Sequence, residues 1–437
     1  MREYDAVVLG GGPAGSTVAT LLAQAGQDVV VLEKEHFPRY HIGESLLPAT
    51  VAIWERLGVH EQIRATSVRK PGGKWLYGEG EVPGEFANYD RKASFKTTPY
   101  SYLVERSTYD KILLDRSFEC GAEVRFGHTV RDVLQDGDRV VGVTASDEDG
   151  STREFRGRMV FDATGLRAVI GSRLGLREPA TVQRMGIYTQ YKAKIRREDA
   201  SAGWFIGQMF YDGWTWLLNL PGDEVSVGVV LPVDRFKELQ TTPEHLMQRM
   251  MQENPLLRDG LESPSPSAPV RVTGNMGNSC TQLAGDGWVM VGDAAFFIDP
   301  CYSSGVHVAM MSAEKATDVF LQQPAGLPIS QEAFNGYEQQ LRHHQTYVTR
   351  MVDAFYIASR NTSVQKLVLK FQGGYLTRKF VTFVGGDFSK NAPYIARINE
   401  YHRFLNWLLP NNESKPENRP DYPAELVTET AAGREAA

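Results

Sequence analysis

Only three of the 437 residues are cysteines, Cys120, Cys280 and Cys301, and they lie far apart with no paired spacing. A disulfide framework or a cysteine-clustered metal site is not expected from such a distribution, and none is assigned. Long apolar runs are missing as well. No 18-residue span is free of polar residues, and the N-terminal apolar stretch is broken by glycines within ten residues. Neither a membrane helix nor a secretory leader is therefore expected, and the sequence reads as cytoplasmic. Positive charge is also scarce: 47 Lys and Arg face 53 Asp and Glu, a net charge of -6, with no long basic run. That balance offers no face for nucleic acid. What is present is a 42% apolar composition over a length that can bury a large core in two to three structural units.

The order of patterns predicts an α/β chain. A buried strand, YDAVVL, turns through GGGPAG into the helical stretch STVATLLAQAG and returns as a second strand, DVVVLE, which is a βαβ unit. RSTYDKILLDRSFECGAEV reads as an amphipathic helix leading to a strand, and REFRGRMVFDATG as a strand running back into the same unit. Strand-like runs between about 180 and 275, such as MGIYTQYKAKI, WTWLLNL and VSVGVVL, predict a separate antiparallel sheet with one helical insertion. The expected organisation is a Rossmann-like nucleotide-binding domain at 1–178 and 270–330, carrying inserted loops and strands at 65–105. An antiparallel substrate domain follows at 179–269, then a C-terminal helical region at 331–410 and a solvated tail at 411–437.

Gly10, Gly12 and Gly15 form G-x-G-x-x-G between the first strand and the first helix, and Glu33 closes the second strand about twenty residues on. Glycines at these positions let the backbone approach a pyrophosphate, the helix N-terminus stabilises its charge, and Glu33 accepts hydrogen bonds from a ribose. NAD and FAD share this loop. FDATG at 161–165 and VMVGDAA at 289–295 each place an aspartate at the carboxyl end of an apolar strand, where ligands bind in open α/β sheets. Taken alone, Asp162 is as well read as a turn residue, and Arg106 as a surface helix cap.

With these segments the chain resembles the FAD-binding domain of aromatic-hydroxylase-type flavoprotein monooxygenases. HIGESLLPAT (41–50), RKPGG (69–73), GWTWLLNLPGDEVSVGVV (213–230) and GDAAFFIDPCYSSGVHVAMMSAEKA (292–316) make the resemblance more specific. Together they resemble the FADH2-dependent halogenases, in the branch that acts on phenols and pyrroles, often while the substrate is tethered to a carrier protein. The resemblance implies FAD contacts along Gly10, Gly12, Pro13, Ala14, Gly15 and Ser16, then Glu33, Lys34, Glu44, Ser45, Arg106, Asp162, Gly165, Gly292, Asp293, Gly305 and Val306. It further implies reduced FAD supplied by a separate flavin reductase, chloride as co-substrate, and Lys70 as the catalytic amine that captures hypochlorous acid. By itself a lysine beside Arg69 and Lys74 reads as solvated.

Trp214, Trp216, Pro300 and Tyr302 are implied as tunnel residues, although alternation at period two also suits plain sheet packing for the tryptophans. The family pattern W-x-W-x-I-P meets Asn219 where its proline stands. Tyr302 occupies the place of a glutamate found in tryptophan halogenases, which implies a substrate already activated as a phenol or pyrrole. The halide is implied at Ser303, Ser304 and Gly305, whose amides precede a helix beginning near Val306. A plain serine N-cap uses the same donors. Competing readings are an aromatic hydroxylase, which needs neither Lys70 nor chloride, a flavin-dependent isoprenoid reductase, and a non-catalytic flavin-binding scaffold.

Overall fold

The computed structural model describes residues 2–77, 80–88 and 98–360. The C-terminal part of the expected helical region, 361–410, and the expected tail, 411–437, lie outside the described residues. The chain forms two compact units. The first comprises Met1–Thr66, Val104–Ala180 and Gly277–Thr346; the second comprises Ser67–Leu103, Thr181–Met276 and Tyr347–Ala437.

The first unit is built on a parallel sheet in which Glu3–Leu9 lies between Thr152–Asp162 and Val29–Leu32. Glu123–Arg125 adds parallel to Val29–Leu32, and Trp288–Met290 adds parallel to the end of Thr152–Asp162. Every residue of Val29–Leu32 is buried, as a strand covered on both faces requires. The helix Pro13–Gln24 begins immediately after the glycine loop, and its first ten residues are all buried. It packs against Arg106–Glu119 and Gly305–Leu321. This places the carboxyl ends of the strands and the N-termini of the first and last of these helices at one edge of the unit.

The second unit is a mixed sheet. Arg177–Ile195, Glu224–Pro232, Trp214–Asn219 and Phe205–Met209 pair antiparallel in that order, and Phe205–Met209 then pairs parallel with Gly72–Tyr77. One face carries Ile187, Ile206, Leu217, Val227 and Val229 against the helices Pro243–Glu253 and Pro255–Gly260. The stretch 65–105, expected within the nucleotide-binding domain, instead contributes strands to this sheet. Its aromatic and glycine-rich composition hides the pairing, because a strand joined to a distant segment leaves no local period. The helix Asn335–Arg360 follows as expected, divided between the two units at Tyr347.

Candidate active site

At the glycine loop the chain's own packing explains two of three glycines. Gly10 has φ +95°, and a Cβ there would stand 2.6 Å from Ala163 O; a Cβ on Gly15 would stand 1.9 Å from Gly10 O. Gly12 differs, since its nearest neighbour would be Arg39 Nη2 at 3.5 Å. The fold tolerates a side chain there, so the open approach at Gly12 fits a ligand rather than a packing need. Pro13 starts the helix without losing a hydrogen bond, Ala14 is buried, and Ser16 Oγ donates to Gly11 O at 2.9 Å, fixing the loop. Glu33 is buried and accepts from Gly11 N at 2.7 Å and Glu35 N at 2.8 Å, which orients its carboxylate at the strand end. Lys34 is exposed and pairs with Glu35 at 3.7 Å.

Arg106 does not cap its helix; Glu105 does, accepting from Ser107 N and Thr108 N. The Arg106 guanidinium is buried, donates from Nε and Nη2 to Asp110 at 2.7 and 2.9 Å, and reaches Ile42 O with Nη1. Gly43, at φ +103°, makes that reach possible, because a Cβ there would lie 2.9 Å from Nη1. Arg106 thereby ties the helix to the G-E-S segment, where Glu44 is buried and its carbonyl accepts from Val104 N. Asp162 is fully buried, and its carboxylate accepts from Thr164 N, Thr164 Oγ1 and Ile170 N, so it holds the turn that begins at Gly165. Asp293 is half-buried and makes no side-chain hydrogen bond with the described residues. Burial pushes its carboxyl up to about 7 against the opposing pull of Arg106. Gly292, at φ +61°, donates to Ser312 Oγ at 2.8 Å, and a Cβ there would lie 3.4 Å from Ala14 Cβ, so the two helix N-termini converge here.

The turn from Asp299 to Gly305 follows within ten residues. Asp299 accepts from Cys301 N at 3.0 Å and so caps the short helical turn Pro300–Tyr302; Tyr302 is buried. Ser303 is left-handed, at φ +57°, its N–H donates to Pro300 O at 2.9 Å, and its Oγ donates to Ser45 Oγ at 3.0 Å. Of the three residues expected at the halide, Ser303 thus spends its N–H within the turn. Ser304 is the N-cap of Gly305–Leu321 but makes no side-chain capping bond, so the plain-cap reading is not realised. The backbone amides at the start of a 17-residue helix are left as donors beside buried Val306 and His307.

In the second unit, Lys70 ends the strand Val68–Lys70 and is only 3% exposed. Its Nζ lies 5.2 Å from the ring centre of Phe86 and 5.9 Å from that of Phe205, and burial pushes the amine down to about 7. The solvated reading of Lys70 is therefore wrong. Trp214 and Trp216 are buried with ring centres 5.4 Å apart, and Trp75 stands 5.5 Å from Trp214. Glycines make room for these indoles: a Cβ on Gly228 would lie 2.3 Å from Trp216, and one on Gly207 2.4 Å from Trp75. Trp216 Nε1 donates to Ser226 Oγ at 3.0 Å, whereas Trp214 Nε1 is buried without a partner. Asn219, in the place of the motif proline, donates to Ser201 O at 3.0 Å and keeps its strand register with Val225.

Arg39 and Thr50 were not singled out in the sequence. Arg39 lies 3.2 Å from Asp110 and stands against Gly12, and Thr50 Oγ1 meets His307 Nδ1 at 3.3 Å. The faint signal for Arg39 was an arginine in the loop just after Glu33.

The family described as FAD binding domain matches residues 3–322. The chain is also 30% identical over 366 residues to a 1H-pyrrole-2-carbonyl-[peptidyl-carrier protein] chlorinase of Pseudomonas fluorescens, covering 78% of this chain and 81% of that protein. The chain belongs to the flavin-dependent halogenases. It is 34% identical over 317 residues to a tryptophan 2-halogenase of Chondromyces crocatus, covering 70% of this chain but only 59% of that longer enzyme. Among solved structures, a triple mutant of the flavin-dependent brominase Bmp2 superposes with a TM-score of 0.80 at 26% identity, over 92% of this chain and 100% of that one. A Cytophaga hutchinsonii flavoprotein/dehydrogenase superposes at 0.82 and 26% identity, over 93% and 99%. The halogenase is accordingly a mixed α/β flavoprotein whose cofactor is FAD, and the open approach at Gly12 and the oriented Glu33 suit that cofactor. Among the described residues no helix is long and apolar enough to cross a membrane, and no cluster of His, Cys, Asp or Glu could hold a metal.

Proposed function

We propose that this halogenase chlorinates an electron-rich aromatic ring, a pyrrole or phenol, presented as an acyl group on a carrier protein, with reduced FAD delivered by a separate reductase. The carrier and the pyrrole are argued from relatives of both halide types, the chlorinase above and a 1H-pyrrole-2-carbonyl-[peptidyl-carrier protein] brominase that is 27% identical over 335 residues, 78% of its length. The observation that carries the catalytic part is the burial of Lys70 among aromatic rings. A lysine with an ordinary solvated role has no reason to bear that desolvation cost.

When bound, reduced FAD would supply two electrons that, with two from chloride, reduce O2, giving hypochlorous acid and water. The chain's part begins with the amides of Ser304 and Gly305, which hold chloride at the helix N-terminus, while Ser303 and Ser45 set the turn. Lys70 Nζ then donates a hydrogen bond to the oxygen of hypochlorous acid and keeps this small oxidant oriented. As the C–Cl bond forms, the O–Cl bond breaks, the oxygen leaves as water with a proton from Nζ, and the ring proton passes to Nζ and restores its ammonium. Trp214 and Trp216 meet the aromatic substrate from the sheet of the second unit. Arg106, Glu33, Asp293 and the glycine loop hold the cofactor, and Asp162 and Gly165 shape the turn beside it.

The test supplies purified protein with a flavin reductase, NADH, FAD, chloride, O2 and pyrrole-2-carbonyl-loaded peptidyl carrier protein, and follows product mass. Exchange of hydrogen for chlorine in the parent, lost in Lys70→Ala with FAD still bound, is expected. Addition of oxygen without chlorine would overturn the proposal in favour of a hydroxylase.

A further inference from the structure

Lys70 does not stand alone on its strand pair. Val68–Lys70 pairs antiparallel with Ser101–Leu103, and the residue directly opposite Lys70 is Ser101. Cross-strand partners project to the same face, so the Ser101 hydroxyl and the Lys70 amine share a side of this two-stranded sheet. Ser101 is 0% exposed, and its Oγ has no hydrogen-bond partner. Most buried hydroxyls are satisfied, because a buried hydroxyl without a partner has given up its water for nothing. A serine kept in that state, in register with a buried lysine, points to a ligand that completes it.

We propose that Ser101 Oγ is the second contact of the capture site at Lys70, so that hypohalous acid is held at two points. Its oxygen accepts from Lys70 Nζ, and its O–H donates to Ser101 Oγ. The inference rests on the reading of Lys70 as the capturing amine. Binding of this kind makes and breaks no covalent bond. It adds what a single ammonium lacks: one donor fixes a distance, whereas a donor and an acceptor together fix the direction in which the halogen points. Ser101 is thus a positioning residue, and its loss is expected to release the oxidant rather than to stop its formation.

The test uses the full-length holoenzyme with chloride, O2 and photochemically reduced FAD, with no aromatic substrate, followed by rapid desalting. Oxidising equivalents retained by the protein and those in the filtrate are both titrated with iodide. The parent is expected to retain most of them. Ser101→Ala is expected to lower the ratio of retained to free oxidant at least fivefold, with total oxidant, FAD binding and melting temperature unchanged or the last raised. Lys70→Ala is the control for the underlying reading: if it retains oxidant like the parent, the capture reading and this proposal both fail. If Lys70→Ala releases oxidant while Ser101→Ala retains it, only the assignment of Ser101 fails. A lowered melting temperature in Ser101→Ala with an unchanged ratio identifies a bound water as its partner and equally overturns the proposal. Ser101→Thr, which keeps the hydroxyl, is expected to retain more oxidant than Ser101→Ala.

Discussion

Replacing Lys70 by methionine should stabilise the protein while abolishing halogenation, and the gain should depend on pH in a calculable way. Methionine keeps the length and the apolar stem of lysine and removes only the amine. Burial pushes that amine from 10.5 to about 7 in the folded chain. Below about pH 7 the amine is charged in both folded and unfolded states, and the folded state carries the whole cost of a buried cation. Between about 7 and 10.5 the unfolded chain holds a proton that the folded chain lacks, so the penalty shrinks as pH rises. Above 10.5 it is gone. At about 1.4 kcal/mol for each tenfold change in proton affinity, the full penalty is about 5 kcal/mol as an upper bound. Urea unfolding followed by tryptophan fluorescence is the assay, since Trp75, Trp214 and Trp216 lie in the same unit as Lys70. The advantage of Lys70→Met over the parent should be several kcal/mol at pH 6 and should decline steadily by pH 10. An advantage that does not change with pH, or a destabilised variant at pH 6, would refute the claim that this lysine is desolvated at the expense of the fold.

Five other substitutions test three separate parts of the site. Gly15→Ala puts a Cβ 1.9 Å from Gly10 O and should cost about 3 kcal/mol or more together with FAD binding, whereas Gly12→Ala should stay within about 0.5 kcal/mol of the parent and weaken FAD about tenfold or more; thermal melts and FAD titration separate the two. Trp216→Phe removes the donor to Ser226 and Trp214→Phe removes an N–H without a partner, so urea melts should show the first to be the more destabilising, by about 1 kcal/mol. Asp293→Asn should match the parent near pH 4 and exceed it at pH 8 in thermal shift without FAD, because a carboxyl raised from 3.8 to about 7 penalises the fold increasingly across that window and fully above it.

The glycine loop, the βαβ unit and the helix after Ser304 were legible because each rests on local chemistry: a strand ending in glycine, a helix start and a fixed period. Lys70 was the opposite case. Its neighbours Arg69 and Lys74 read as a solvated basic run, and what buries it are Phe86 and Phe205, which no spacing links to it. Asp162 and Arg106 show a subtler limit. Their residue types and positions suggested ligand contacts, yet Asp162 turns its carboxylate into the chain and Arg106 is anchored on Asp110, four residues along the same helix face. An acidic or basic side chain in a motif does not reveal whether its hydrogen bonds are already taken. The distinction lies in satisfaction: Asp162 has its donors, whereas Trp214 Nε1 and Ser101 Oγ are among the buried atoms without a partner. Since an unpaired buried polar atom costs about 1–3 kcal/mol, such atoms persist chiefly where something outside the chain repays them. Both of these lie in the same unit as Lys70. On that reasoning, Ser101 Oγ and Trp214 Nε1 are the atoms from which to test the proposed oxidant and substrate sites.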